Sequence, residues 1–349
     1  MTLAGTRTDL STSLVDWDDA DATRLRAAQV TELAQRYGSE DDPSVMTAEG
    51  VVAMLLVRDG AEPVACGALR DVSATQGPGT VEIKRLYVAP SRRGRGLSRL
   101  VMAELEARAR ALGYGRLILE TGVMQPEAIG LYLALGYDPI EAYGEYKDHP
   151  GSRCFGKALV PDDGGAETDV PRDEPVTGAA PRPRPEVTLR FVDWDDADAV
   201  ALRLAMYERT NARLYPSLRE SVERRGGFAV DDAAQGEGAL TTVLAEIDGV
   251  PVGCATLRAA RDGYPGGSGE LKKVFVDESA RGAGVARTML QAIEDAARDH
   301  RLTQVVLMTG YRQPEAIRLY VSSGYRPILP LGPRDRINPH GLWFAKHLG

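Results

Sequence analysis

Short apolar runs and amphipathic stretches follow one another along the chain in an order that occurs twice. VVAMLLVRDGAEPVACGALR predicts two strands joined at Asp59-Gly60, and TTVLAEIDGVPVGCATLR predicts the same hairpin at Asp248-Gly249. A third strand, VEIKRLYV or GELKKVFV, leads into a Gly-rich loop. An amphipathic helix follows each loop, predicted over 97–112 and 285–300.

The second part of each copy predicts a strand, a helix and a final strand. The strand is GRLILET or QVVLMTG, and the helix opens at QPEAI with Pro in its first turn. Gly136 and Gly324 are predicted to cap that helix at its C-terminus. This order predicts an α+β fold with α/β layering around a mixed sheet in each copy.

The repeat also predicts the domain organisation. A shift of 188 positions maps Glu82 onto Glu270 and Tyr132 onto Tyr320, whereas VDWDDADA recurs after a shift of 177. The difference predicts an 11-residue insertion in the second copy, between Ala199 and about Val250. Because 160–186 is rich in Pro, Gly and acids, it is predicted to be an exposed linker between domains 1–159 and 187–349.

Composition narrows the class of protein. A chain of 349 residues with 43% apolar residues accommodates two domains, each with a core. No apolar run approaches the ~20 residues of a membrane span, and the N-terminus lacks the pattern of a secretory signal. Cys66, Cys154 and Cys254 show no metal-ligand spacing, so we expect a cytoplasmic protein without a metal.

The charge argues against a nucleic-acid partner. The chain carries a net charge of −8, and binding to phosphates needs clustered Lys and Arg. Residues 1–158 hold 18 basic and 22 acidic side chains, which mildly favours a cationic substrate.

The two Gly-rich loops are candidates for anion binding. They read APSRRGRGLSRLVMAEL and DESARGAGVARTMLQAI, and each feeds directly into a helix. Backbone amides and the helix dipole at such a point favour a phosphate or pyrophosphate. A plain helix-entry turn is the alternative, but the loop recurs in the same context in both copies. Neither a dinucleotide-binding fingerprint nor a Walker loop is present.

These motifs together resemble the GCN5-related N-acetyltransferase (GNAT) superfamily. The resemblance lies in (R/Q)xxGx(G/A) between strand and helix, a later strand ending in TG, and an LYxxxGY helix. The second copy matches at Arg281, Gly284 and Ala286. The first matches at Arg93 and Gly96, with Ser98 where Gly or Ala is usual. The resemblance implies tandem GNAT folds, each a mixed, mostly antiparallel sheet with helices on both faces and a splayed parallel strand pair.

The resemblance further implies that acetyl-CoA binds where the parallel strands separate. Its pyrophosphate would lie on two loop segments: Arg93, Gly94, Arg95, Gly96, Leu97 and Ser98; and Arg281, Gly282, Ala283, Gly284, Val285 and Ala286. The pantetheine would pair with Leu86, Tyr87 and Val88 or with Val274, Phe275 and Val276. Many relatives hold it with an Asn as well; Gln125 and Gln313 stand there in this chain.

The implied reaction is direct transfer of acetyl to a primary amine in a ternary complex. Tyr132 and Tyr320 match the tyrosine that protonates the departing thiolate, or they pack against the sheet as aromatics. Glu82 and Glu270 stand where relatives place a glutamate that acts through water as the base. The alternative is a strand carboxylate paired with Lys84 or Lys272.

Several alternatives stay open at the level of sequence. One or both units could be a non-catalytic CoA-binding module, or the acyl group could be larger than acetyl. The tandem architecture is also similar to mycothiol synthases, which make a thiol cofactor. The acceptor could be an antibiotic, a polyamine, an amino sugar, a peptide N-terminus or a lysine. The protein could be a monomer or a homodimer, and the intact loop motif slightly favours the second unit as the active one.

Overall fold

The computed structural model describes residues 9–38, 46–159, 185–332, 338 and 340–349. The chain divides into two compact units, Met1–Asp169 and Val170–Gly349, and each is described by itself. The predicted linker, 160–186, lies outside the described residues except for Pro185 and Glu186.

The first unit is a seven-stranded sheet with order β1-β2-β3-β4-β5-β7-β6. All neighbouring strands are antiparallel except β4 and β5, which are parallel. Its elements are β1 Leu10–Val15, α1 Ala20–Tyr37, β2 Val51–Asp59, β3 Glu62–Asp71, α2 Ser73–Gln76, β4 Thr80–Val88, α3 Leu97–Ala111, β5 Arg116–Gly122, α4 Pro126–Ala134, β6 Asp138–Pro139 and β7 Ser152–Ala158.

The second unit repeats this sheet, with order β13-β14-β12-β11-β10-β9-β8 and one parallel pair, β11 with β12. Its elements are β8 Val187–Val192, α5 Ala197–Met206, α6 Ala212–Leu214, α7 Pro216–Arg224, α8 Phe228–Gln235, β9 Ala239–Ile247, β10 Val250–Ala259, β11 Ser268–Val276, α9 Val285–Asp299, β12 Gln304–Gly310, α10 Pro314–Ser322, β13 Arg326–Pro327 and β14 Gly341–His347. The mixed-sheet fold expected for both copies is confirmed. The three helices α6, α7 and α8 lie within the interval predicted to hold the insertion.

The turn of the second unit lies where it was predicted, whereas that of the first unit lies one residue later, at Gly60 and Ala61. Asp248 and Gly249 both take positive φ, at 51° and 74°, as a two-residue hairpin turn requires. The C-cap residues of α4 and α10 are Leu135 and Ser323, one residue before the predicted caps. The glycines that follow take the left-handed conformation that redirects the chain.

A bulge separates the two parallel strands in each unit. Strands β4 and β5 pair over Thr80–Ile83, although β4 continues to Val88. Beyond that point Arg85 has φ 56°, and the register of β4 against β3 shifts. Lys273 has φ 57° at the equivalent position of β11, with the same shift against β10. Because a bulge bends its strand and raises the local twist, it opens a wedge between β4 and β5, and between β11 and β12.

The cores of the two units occupy equivalent positions. Helix α1 covers one face of the first sheet, where Ala22 and Leu25 pack on a cluster of buried side chains: Met54, Leu56, Cys66, Ala68 and Tyr87. Helix α5 covers the second sheet in the same way, over Leu244, Cys254 and Phe275. Burial raises the pKa of the Cys66 and Cys254 thiols to about 12, so both are packing residues.

VDWDDADA caps and anchors the first helix of each unit. The carboxylates of Asp19 and Asp196 accept hydrogen bonds from the first-turn amides of α1 and α5. Arg26 stacks on Trp17 with 3.5 Å between guanidinium carbon and ring centroid, and Arg203 stacks on Trp194 at 3.9 Å.

The insertion adds an ion pair to this anchor in the second unit. Arg203 is 0% exposed, and its Nε and Nη2 donate to the carboxylate of Asp232 on α8 at 2.7–3.1 Å. Because a buried guanidinium needs a counter-charge, Asp232 ties α8 to α5.

We expect Asp232→Ala to lower the free energy of unfolding of the second unit by about 3–5 kcal/mol, because it leaves Arg203 buried without a counter-charge. Urea unfolding followed by tryptophan fluorescence in a Trp17→Phe background measures this, since both remaining tryptophans lie in the second unit. Asp295→Ala, which breaks the exposed Arg298–Asp295 pair, is the control and should cost at most about 0.5 kcal/mol. Equal costs for the two variants would contradict the assigned role of Asp232.

Candidate active site

The Gly-rich loops form open cradles at the start of α3 and α9. Gly94 and Gly96 have φ 76° and 82°, and Gly282 and Gly284 have φ 80° and 87°. No atom lies within 4 Å of a Cβ built on any of these four glycines. The first-turn amides of α3 and α9 have no acceptor within their own helices, and the positive end of the helix dipole lies there. Each cradle therefore fits a phosphate or diphosphate.

A cleft of roughly 400 Å³ runs from the first cradle along the free end of β4. Helix α1 forms one wall and the start of α4 forms another. Nine of the residues that the sequence predicted for cofactor binding line this cleft: Leu86, Tyr87, Val88, Arg93, Gly94, Gly96, Leu97, Ser98 and Gln125. Arg95 is exposed in the loop and is not among the lining residues.

Helix α1 contributes polar residues that sequence reasoning missed. Gln29, Glu32 and Arg36 line the cleft. Their spacing places them on one face of the helix, and this was the available signal. The same spacing of charged residues is typical of a solvated helix face, so the spacing alone does not identify a cleft wall.

Ion pairs connect the three walls of this cleft. The Arg93 guanidinium donates to Glu32 at 2.6 Å and to the Val88 carbonyl at 3.0 Å. Arg36 donates to Glu127 at 3.0 Å and to the Met124 carbonyl at 3.1 Å. Loop, α1 and α4 are thereby held around the opening.

Gln29 lies against the strand segment expected to face the cofactor. Its Nε2 donates to the Leu86 carbonyl at 2.9 Å. Its Oε1 is buried and has no hydrogen-bond partner in the described part of the chain. An unsatisfied amide oxygen on a cleft wall fits a ligand that brings an N–H donor.

Two tyrosines from unrelated positions hold Gln125 and Gln313. The hydroxyl of Tyr37, at the end of α1, is hydrogen-bonded to the Gln125 side chain, and that of Tyr215 is hydrogen-bonded to Gln313. Neither repeat offset maps Tyr37 onto Tyr215, so the sequence alignment could not reveal this shared role. In both units the amide expected to contact pantetheine is oriented by a tyrosine.

Tyr132 and Tyr320 are buried in aromatic clusters. Tyr132 packs on Tyr137 and Phe155 with ring centroids 6.1 and 6.0 Å apart, and Tyr320 repeats this with Tyr325 and Phe344. Burial raises the pKa of both hydroxyls well above the ordinary value, so both stay protonated at neutral pH. Each tyrosine can therefore pack against the sheet and also carry the proton that an acid needs.

Glu82 and Glu270 lie in ion-pair networks on their sheets. Glu82 is 0% exposed; Arg70 donates to Oε2 at 2.5 Å and Tyr143 to Oε1 at 2.8 Å. Tyr264 donates to Glu270 at 3.1 Å, and three cations lie 3.5 Å from its carboxylate: Arg258, Arg261 and Lys272. The predicted lysine partners are present, with Lys84 3.9 Å from Glu82.

The remaining predicted residues lie where the fold repeat places them. Val274, Phe275 and Val276 end β11 beyond its bulge, and Arg281, Ala283, Val285 and Ala286 surround the second cradle. In the described ranges, no group of three or more His, Cys, Asp or Glu side chains is arranged to hold a metal. None of the described helices has the length and apolarity that a membrane span requires.

Comparison with known proteins places this architecture in a family. The family model described as "Acetyltransferase (GNAT) family" matches residues 14–137 and 204–325. The chain therefore belongs to the GNAT family of acetyltransferases and carries two copies of its domain.

Individual relatives match one half of the chain. An IAA acetyltransferase of Azospirillum brasilense is 31% identical over 151 residues, covering 43% of this chain and 92% of the relative. The chain is also similar to two solved structures. They are an IAA acetyltransferase from Bacillus cereus (16% identical, TM-score 0.34) and the PaiA N-acetyltransferase of Thermoplasma acidophilum in complex with coenzyme A (12% identical, TM-score 0.37). Each covers 46% of this chain and is itself 99% covered.

We expect Gly310→Ala to destabilise the second unit by about 1–3 kcal/mol, because the added methyl group would overlap the hydroxyl of Tyr215, which is 5% exposed and cannot move away. Gly122→Ala meets Tyr37 in the same way but should cost less, since Tyr37 is 38% exposed and can rotate outward. Urea unfolding measures both, and Gly266→Ala, with no atom within 4 Å, is the control. The contact would be refuted if Gly310→Ala and Gly266→Ala were equally stable.

Proposed function

We propose that this protein is an acetyl-CoA-dependent N-acetyltransferase that acetylates a primary amine of a small molecule or peptide by direct attack in a ternary complex. The observation that carries the proposal is the cleft of the first unit, which joins an amide cradle to the free edge of β4 beside α4. Family membership supports acyl transfer from a coenzyme A thioester.

Acetyl-CoA is assigned to the cleft, with its diphosphate on the cradle and its pantetheine along β4. The amides between Arg93 and Ser98 hold the diphosphate, and Gly282 and Gly284 give the second unit the same capacity. The strand backbone at Tyr87 and Val88 and the amide groups of Gln29 and Gln125 hold the pantetheine. Acetyl-CoA supplies the acetyl group as a thioester, and the residues of this chain place it and handle the protons.

In the unit that carries out the transfer, Tyr132 or Tyr320 is assigned as the acid that protonates the departing thiolate. A buried hydroxyl that stays neutral at pH 7 holds its proton until charge develops on sulfur. The aromatic rings around each tyrosine keep the side chain in one orientation and exclude water.

Glu82 and Glu270 are assigned to positioning rather than to direct proton transfer. Arg70 donates to Oε2 of Glu82 and Tyr143 donates to Oε1, so hydrogen bonds hold both carboxylate oxygens in place. In this role Glu82 and Glu270 hold strands β4 and β11 in place before the Gly-rich loops. They also contribute negative charge next to those loops.

Tyr132→Phe and Tyr320→Phe test the assignment of the acid. We expect the variant in the working unit to lower kcat about 100-fold, because the thiolate must then leave without a proton donor. Thiol release from acetyl-CoA, measured against spermidine, kanamycin, glucosamine, lysine and an alanyl peptide, gives the rate.

Calorimetry with coenzyme A is the control, because a phenylalanine leaves the cleft intact and the dissociation constant should not change. Full turnover in both variants, with coenzyme A still bound, would remove the acid assignment. Absence of coenzyme A binding to the folded wild-type protein would remove the proposed function itself.

A further inference from the structure

A second acidic side chain, Glu120, lies beside the wedge of the first unit. It is half-buried on β5 and is hydrogen-bonded to Ser152 of β7. Because side chains alternate along a strand, Glu120 shares its sheet face with Ile118 and Gly122. Gly122 meets Tyr37 at the end of α1, so this is the face that α1 covers. Tyr132, in contrast, packs on Phe155 on the opposite face.

The surroundings of Glu120 raise the pKa of its carboxyl group above the ordinary value. Burial is the main cause that raises its pKa, and the Ser152 hydrogen bond and the charge of Lys84 oppose the rise. Titratable and charged groups on several neighbouring elements interact electrostatically with Glu120. They are Glu82 and Lys84 on β4, Glu145 and Tyr146 after β6, Cys154 on β7, Tyr132 on α4 and Tyr37 on α1.

The second unit has replaced this whole arrangement. Met308 stands at the position of Glu120, and its strand partner is Trp343 where the first unit has Cys154. Gly341 takes the place of Ser152, so the hydroxyl is gone as well. Trp343 is 3% exposed and packs edge-on against Tyr264 at 5.8 Å. Three substitutions thus exchange a polar, titratable site for an apolar one.

Ion pairs and hydrogen bonds hold the other two strand glutamates, Glu82 and Glu270, in place. Arg70 and Tyr143 each donate to one carboxylate oxygen of Glu82, and Glu270 lies among three cations. The charges that act on Glu120 include the cation Lys84 and the carboxylates Glu82 and Glu145.

We infer that Glu120 is the base that accepts a proton from the acceptor amine, and that the first unit carries out the transfer while the second does not. The inference rests on the proposed function. The ammonium gives one proton to Glu120, and the free amine then attacks the carbonyl carbon. As the C–N bond forms and the C–S bond breaks, Tyr132 protonates the sulfur and the second proton lost from nitrogen restores the tyrosine. Glu120 returns its proton to water.

Glu120→Gln in the full chain tests the inference, since glutamine keeps the shape and can still bond Ser152 but takes up no proton. We expect kcat/KM at pH 7 to fall about 100-fold with the amines named above. Because the raised pKa keeps the Glu120 carboxyl protonated at low pH, the limb of the wild-type pH profile that reports its ionisation should also be lost. A merely structural role would leave that pH profile unchanged. Met308→Gln is the matched control in the second unit, and its rate should stay within about twofold of wild type.

The outcomes separate the inference from the proposed function. An active wild type whose Glu120→Gln variant keeps its rate and its pH profile overturns the inference alone. The same holds if Met308→Gln lowers the rate as much as Glu120→Gln does. A wild type that binds coenzyme A by calorimetry but turns over none of the amines overturns the proposed function and the inference with it. Unchanged affinity of Glu120→Gln for coenzyme A shows that the variant is folded.

Discussion

The separation of two parallel strands is the constraint on which the candidate site depends. A residue in the left-handed conformation, Arg85 or Lys273, interrupts the ladder after three or four paired positions. Such a backbone costs about 1–3 kcal/mol and persists only where the surrounding fold enforces it. Its presence in both units shows that the wedge is part of the architecture. The wedge leaves the edge of β4 free, and the amide cradle lies directly beyond that edge.

Elements from distant parts of the chain converge on this wedge. In the first unit α1 supplies Gln29, Glu32 and Arg36 to one wall of the cleft. Tyr37 and Tyr215 reach equivalent glutamines from segments that differ in length and helix content. Two different segments thus place a tyrosine hydroxyl at the same position, against a glycine and a glutamine amide. Only the position of the hydroxyl has to be the same, and the preceding residues can differ.

The two units share what holds the sheet together and differ in what lies beside the wedge. Buried core positions and cradle glycines recur because a change there creates a cavity or blocks the backbone. Side chains beside the wedge, in contrast, differ between the two units. Glu120, Cys154 and Ser152 in the first unit are replaced by Met308, Trp343 and Gly341, and the sheet register is unchanged. These replacements are the basis of the inference that the first unit carries out the transfer.

The sequence by itself determined the repeat, the order of elements, the hairpins, the cradles and the GNAT resemblance. All of these depend on local periodicity and on glycine placement, which act within a few residues. The tertiary structure decided which polar groups meet: that Arg70 and Tyr143 enclose Glu82, that α1 lines the cleft, and that Glu120 lies beside the wedge. Those contacts join residues tens of positions apart, and no spacing in the sequence encodes the side-chain packing that brings them together.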